Sequence, residues 1–334
     1  MTGTGDLDQV ATTDGGSAGT AHEARIRAMS VAQRREFEER GYLVVRGALD
    51  AAMVDRLLAA HERVYEAERA AGRLTEQGVM HGFAFVVRDP VYLDLLDLPS
   101  TFPLVWSLLG WNIFMYHCHI DQHPGPDPHR PGSWDWHRDG GRQNFELDAL
   151  QVAPRVSVKI GYFLSDLSVP GRGNLAVVPG SHRRRHLPRR RRPDDEWETP
   201  AGAIEVLVDP GDAVLFDRRL YHSRAHNHSH RTRRALFLAY TYRWVRARDD
   251  YPIDETSSWF RRLTPVRQQL LGAGTDAQSF WGLGNDRYPL YEWLRTRGLL
   301  TATRNMRPPD RAPSTESTDG AGQPDLAPRS GGHR

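Results

Sequence analysis

Lysine is almost missing from this chain. Of its 44 basic residues only Lys159 is lysine, and the rest are arginine. Arginine stands wherever either residue serves, so the surviving lysine marks a position that needs a compact ammonium rather than a planar guanidinium. Cysteine is equally scarce. Cys118 is alone, which excludes an intrachain disulfide and a cysteine-ligated metal cluster, and points to a reducing compartment. No run of 18 apolar residues occurs, and residues 1–20 are polar and rich in Gly and Thr, without the apolar core of a secretory signal. The expectation is a cytoplasmic protein with no membrane segment. An excess of charge of one sign is also missing: the net charge is +2, so no molecule-wide field draws the chain to nucleic acid. A glycine-rich phosphate loop is absent.

What is present is enough to build a core. Apolar residues make up 39% of 334, with nine Trp, eleven Tyr and eleven Phe. Residues 1–25 and 306–334 are poor in apolar side chains and rich in Gly, Ser, Thr, Pro and Asp, and read as disordered tails. The folded part is expected at 26–305 as one domain. Ser30, with Gln33 as its capping-box partner, opens a helix that Gly41 closes, and Tyr42–Val45 follows as a short strand. Asp50 caps a second helix, and a third helical region lies near 90–110. From 111 to 245 the texture changes to short apolar segments broken by Gly, Pro and Asp: Ile113–Ile120, Val156–Leu164, Leu175–Val178, Ile204–Val208, Ala213–Phe216 and Ala235–Thr241. This spacing predicts an antiparallel sandwich or barrel. Helical patterning returns over 255–300, with Trp259, Leu270, Trp281 and Trp293.

Every candidate metal ligand falls in the β-rich centre. In extended chain, residues two apart face one side, so His137 and Asp139 in Trp136-His137-Arg138-Asp139-Gly140 can point at one ion. His222 follows the apolar segment Ala213–Phe216. Two imidazoles and one carboxylate on one face, with further positions left open, form the ligand set of non-haem Fe(II) oxygenases. Eleven residues past His222, Arg233 enters the next apolar strand. A guanidinium there suits a buried carboxylate, such as the far end of a metal-chelating diacid. Arg231 and Arg234 read as solvated neighbours.

In this order the motifs resemble those of the phytanoyl-CoA dioxygenase family over roughly residues 35–245. The resemblance rests on Phe37–Val45, Trp136-His137-Arg138-Asp139, Leu175–His182, Pro210–Phe216, His222, Asn227, Ser229 and Arg233. It implies a mainly β fold with flanking helices, a double-stranded β-helix or jelly-roll barrel, with iron at the open mouth. It implies that His137, Asp139 and His222 bind Fe(II), and that Arg233 holds the distal carboxylate of 2-oxoglutarate while O2 is consumed. Lys159, on the strand after the metal loop, and His119 are similar to co-substrate contacts of the family. Alternation along Val156–Leu164 puts Ser157, Lys159 and Gly161 on one face, expected to line a wet cavity where the ammonium meets an anion. Two departures matter. The family often carries a small hydroxyl residue two after the second histidine, where this chain has Arg224. Asp139 stands where related halogenases have a small residue, which argues against halogenation.

The implied activity is oxidation of a C–H bond in a small molecule, with secondary metabolism as the expected setting. The alternatives are a non-catalytic metal- or ligand-binding jelly roll and an iron oxygenase that does not use 2-oxoglutarate. The basic run Arg183–Arg192 reads as a solvated loop or as a capture site for an anionic substrate or carrier. Trp134, Trp136, Gln143 and Phe145 flank the metal motif, and Met80, His81, Phe83 and Phe85 offer a lid or wall. Nothing in the sequence sets the oligomeric state.

Overall fold

Local signals set the first elements. The Gln33 amide donates to the Ser30 hydroxyl at 3.1 Å, and the Ser30 amide donates to the Gln33 side chain at 2.9 Å. This reciprocal cap starts helix α1, Val31–Arg40, and Gly41 ends it in the left-handed region at φ +83°. Asp50 accepts from the Met53 amide to start α2, Ala51–Ala70, which buries Leu57, Ala60, His61 and Val64 at helical spacing. The computed structural model describes residues 26–127, 136–140, 154–184, 198–250, 253–273 and 288–300. The expected tails, most of the Arg183–Arg192 run, and Trp134, Gln143, Phe145 and Trp281 lie outside the described residues.

The strands are β1 (Tyr42–Val45), β2 (Met80–Phe83), β3 (Ile113–His123), β4 (Ser157–Phe163), β5 (Leu175–Val177), β6 (Ile204–Val206), β7 (Ala213–Asp217), β8 (His222–Arg224) and β9 (Arg233–Tyr242). They form two antiparallel sheets, one of six strands in the order β1-β7-β4-β9-β3-β2 and one of three in the order β6-β5-β8. Leu175, Val177 and Val206 of the small sheet share a buried cluster with Val214, Phe216, Ala235 and Phe237 of the large one. The two inner faces therefore pack on each other. The outer face of the large sheet meets helical chain. Tyr162 of β4 hydrogen-bonds Thr101 at 2.7 Å, at the start of α3 (Phe102–Leu109), and Tyr240 of β9 donates to the Leu96 carbonyl at 2.8 Å.

The C-terminal part supplies α4 (Ser258–Arg262), α5 (Pro265–Leu270) and α6 (Pro289–Thr296). Gln269 of α5 donates to the Trp111 and Ile113 carbonyls at 2.9 and 3.0 Å, fixing this helix to the start of β3. The fold is the mainly antiparallel, helix-flanked one that the sequence pattern predicts. Two strands escape that pattern. β2 and β8 are four and three residues long and carry His, Gly, Ser or Arg, too short and too polar to register as apolar segments. Within 90–110, only Phe102–Leu109 is α-helical. Pro90–Leu95 is a 3-10 turn that starts at a proline, which cannot donate a backbone hydrogen bond. Among the described residues no helix is long and apolar enough to cross a membrane.

Candidate active site

Backbone pairing brings the metal motif to β8. The His137 and His222 amides each donate to the other's carbonyl at 2.9 Å, and the Asp139 amide donates to the Arg218 carbonyl at 2.9 Å. Gly140 follows at φ +102°, where an added Cβ would stand 2.4 Å from Arg218 Nη2. Only glycine fits this turn without displacing the arginine. One donor atom from each of His137, Asp139 and His222 lies within 4.8 Å of the others, close enough to share one ion after small side-chain rotations.

The surroundings set each group's chemical state. His222 Nδ1 donates to the Leu220 carbonyl at 2.8 Å, which leaves Nε2 as the nitrogen that could take a metal. Burial, then the neighbouring His137, pushes the His222 pKa down to about 3 against the pull of Asp139, so the ring is neutral at physiological pH. Burial pushes the Asp139 carboxyl up, but the Lys159 ammonium and the two imidazoles together hold it well below the usual carboxylate range. Lys159 Nζ lies 2.7 Å from Asp139 Oδ2, with both side chains under 10% exposed. The anion that the lone lysine demands is thus Asp139 itself. The other carboxylate oxygen, Oδ1, faces His137 Nε2 at 3.9 Å. This donor set, neutral nitrogen plus ionised oxygen, suits a divalent first-row metal.

Arg233 is 3% exposed at the start of β9. Its guanidinium lies beside the Phe163 and Phe237 rings, 5.9 and 5.8 Å from their centroids. It meets Asp121 Oδ2 at a long 3.4 Å, and its Nε has no hydrogen-bond partner among the described residues. A buried guanidinium so loosely engaged fits a further carboxylate. His119 stacks on Phe237 with centroids 4.5 Å apart. A cavity of about 230 Å³ is lined by His137, Asp139, His222, Lys159, Arg233 and His119 together.

Other expectations fare differently. His81 and Phe83 line the cavity, but Met80 and Phe85 are not among its lining residues, and Phe85 packs edge-on against Tyr92. Trp136 stacks on Tyr221 in a separate cluster with Ala176 and Val178. Arg224, the departure from the family pattern, lines the cavity while pairing with Asp127 at 2.8 Å. Sequence reasoning missed Asp121, which accepts from His81 Nδ1 at 2.6 Å and faces Arg233. It also missed Asp249, which holds His117 from outside the strand at 2.7 Å. Alternation along β3, with 117, 119 and 121 on one side, could have found Asp121. A partner 132 residues away leaves no local signal for Asp249.

The Phytanoyl-CoA dioxygenase (PhyH) profile matches residues 37–235, more than half of the chain, and the chain belongs to that family. It is an oxygenase that depends on iron and 2-oxoglutarate. HygX from Streptomyces hygroscopicus, with nickel and 2-oxoglutarate bound, is 16% identical and superposes with a TM-score of 0.52, covering 68% of this chain and 96% of its own. EctD from S. alaskensis with bound Fe is 22% identical, with a TM-score of 0.50 over 72% of this chain and 86% of its own. The same protein with 2-oxoglutarate and 5-hydroxyectoine is 21% identical, with a TM-score of 0.50 over 70% and 83%. At these identities the likeness establishes a common fold.

Proposed function

We propose that His137, Asp139 and His222 hold the iron, that Arg233 grips the distal carboxylate of 2-oxoglutarate, and that the rest of the cavity receives a small molecule whose C–H bond is oxidised. When bound, iron and 2-oxoglutarate supply the oxidising power of O2, with the co-substrate decarboxylated to succinate. The chain's own residues supply position and charge. Leu220 fixes the His222 tautomer, and Lys159 occupies one oxygen of Asp139 so that the other is offered to the metal. Phe163 and Phe237 keep water from the Arg233 fork, which strengthens its hold on an anion.

The observation that carries this reading is the buried, loosely engaged Arg233 on the same cavity as the three ligand side chains. A protein that only bound a metal would have no use for it. The setting we favour is oxidative tailoring of a small natural product, by hydroxylation or a related outcome. The experiment is a metabolite screen for substrate-stimulated succinate release with Fe(II), 2-oxoglutarate and O2. Release coupled one-to-one to a product oxidised at carbon supports the reading. Absence of any 2-oxoglutarate turnover, stimulated or basal, from iron-loaded protein overturns it.

A further inference from the structure

Besides the metal ligands, a row of imidazoles lines the cavity. β3 contributes His117, His119 and Asp121, and β2 contributes His81. The loop after β9 folds back over this wall. Its Arg248 amide donates to the Tyr116 carbonyl at 2.9 Å, and Asp249 reaches in so that one oxygen meets His117 Nδ1 at 2.7 Å and the other accepts from the Cys118 amide at 2.8 Å. His117 and Asp249 are 2% and 4% exposed. His117 Nε2 in turn lies 3.2 Å from His119 Nδ1.

The protons in this chain have one consistent arrangement. An oxygen of an ionised carboxylate only accepts, so His117 Nδ1 must carry a hydrogen. Burial lowers the pKa of His117, and that of His119 still further, so both rings are neutral near pH 7. A neutral His117 protonated at Nδ1 has a lone pair at Nε2. His119 must then donate from Nδ1, which leaves a lone pair on its own Nε2. That atom lies 3.9 Å from Asp121 Oδ2. Two acceptors face each other there at a distance that a donor between them would satisfy.

We propose that Asp249 is a positioning residue for substrate recognition: through His117 it fixes His119 with Nε2 as a hydrogen-bond acceptor, so that the cavity selects a substrate bearing a hydroxyl or amino group. The substrate class rests on the oxygenase reading above; the relay itself does not. A carboxylate of the co-substrate would be repelled by this lone pair, so the contact assigned to His119 by family resemblance passes from co-substrate to substrate.

Asp249→Asn inverts the relay. The amide oxygen can still accept from the Cys118 amide, but the amide NH2 then faces His117 Nδ1 and favours the opposite tautomer. His117 would donate from Nε2, and His119 would present N–H to the cavity. The first measurement is long-range 1H–15N correlation on histidine-labelled protein loaded with Zn(II) and 2-oxoglutarate. Parent protein should show His117 and His119 protonated at Nδ1, and Asp249→Asn should move both protons to Nε2. A cavity-facing N–H on His119 in the parent, or unchanged tautomers in a folded Asp249→Asn variant, overturns the relay. Asp249→Ala, which removes both acceptor and donor, provides the folded comparison if the amide variant fails to fold; there both tautomers should appear, and retention of the parental pattern overturns the relay. This measurement decides the relay whether or not the protein turns over. The second is kinetic, on the substrate that the succinate screen yields. Asp249→Asn should raise its KM about 10-fold or more, the cost of setting donor against donor, while the KM for 2-oxoglutarate stays unchanged. A shift in the 2-oxoglutarate KM alone, or a substrate without hydroxyl or amino hydrogens, overturns the substrate class.

Discussion

Lys159 and Asp139 hold each other in a place where neither tolerates a conservative exchange. Their polar atoms are 2.7 Å apart and both side chains are nearly out of contact with solvent. Lys159→Arg keeps the charge but must fit a wider, planar head beside the Phe216 ring, whose centroid is 5.7 Å from Nζ. The misfit costs about 1–3 kcal/mol and pushes Asp139 off its position. We expect at least a 10-fold or so fall in 2-oxoglutarate turnover, read from initial rates of succinate release. Parental turnover in Lys159→Arg would make the lone lysine an accident of composition. Asp139→Gly goes further, because it removes an acceptor from the ligand set and leaves the Lys159 ammonium buried without its anion. Iron binding, measured by anaerobic titration, should weaken by orders of magnitude, and a titration matching the parent would remove Asp139 from the ligand set. Composition made Lys159 legible at this scale, and its partner was not, because the metal motif and β4 are joined only in the fold.

At the scale of elements, close strand packing sets the shape of the cavity. Gly161 of β4 is opposite Phe237 of β9, and an added Cβ would stand 2.5 Å from Phe237 Cε1. Gly161→Ala therefore displaces the ring that stacks on His119 and flanks Arg233. A loss of roughly 1–3 kcal/mol in urea unfolding is expected, with a weaker grip on 2-oxoglutarate. Unchanged stability and affinity would show that Phe237 moves freely. A second junction ties α1 to β7. Asp217 accepts from Arg219 and Arg155, and Arg155 reaches on to Glu38 of α1. Burial raises the Asp217 pKa, yet the two guanidiniums outweigh it and hold it down at about 2. An acid depressed in the folded state stabilises fully above its unfolded value of about 3.9, and that contribution is lost as pH falls through the folded value. Stability should therefore fall by roughly 2–3 kcal/mol as pH drops from about 5 to below 2, on top of other groups. Asp217→Asn should lose at least that much at neutral pH and show a shallower acid slope. An acid slope equal to the parent's would contradict the assignment.

Over the whole molecule, what could be read in advance divides by the range of the interaction. Caps such as Ser30 with Gln33, the glycine stop at Gly41 and the apolar runs of β3, β4, β7 and β9 are local, and the chain displays them directly. His137, Asp139, His222 and Arg233 stood out before any fold was known, because two imidazoles, a carboxylate and a strand-entry arginine are rare at such spacing, and the fold brings all four to one cavity. The wall of β3 was legible only at His119, which the family resemblance singled out; β3 lies inside the sheet between β9 and β2, and Asp249 arrives from beyond β9. Short polar strands such as β8 take their structure from backbone pairing with a distant segment, His137 with His222, which no local propensity encodes.

The claim on which the rest depends is that one cavity joins the metal ligands to a carboxylate grip at Arg233. Its most direct test is an anaerobic calorimetric titration of 2-oxoglutarate into iron(II)-loaded protein, parent beside Arg233→Ala. The account predicts one site per chain in the parent. It predicts that the variant, still binding iron stoichiometrically, weakens for 2-oxoglutarate by about 10- to 100-fold or more, the loss of a buried charge-assisted pair. A variant that binds iron and 2-oxoglutarate as the parent does would contradict it.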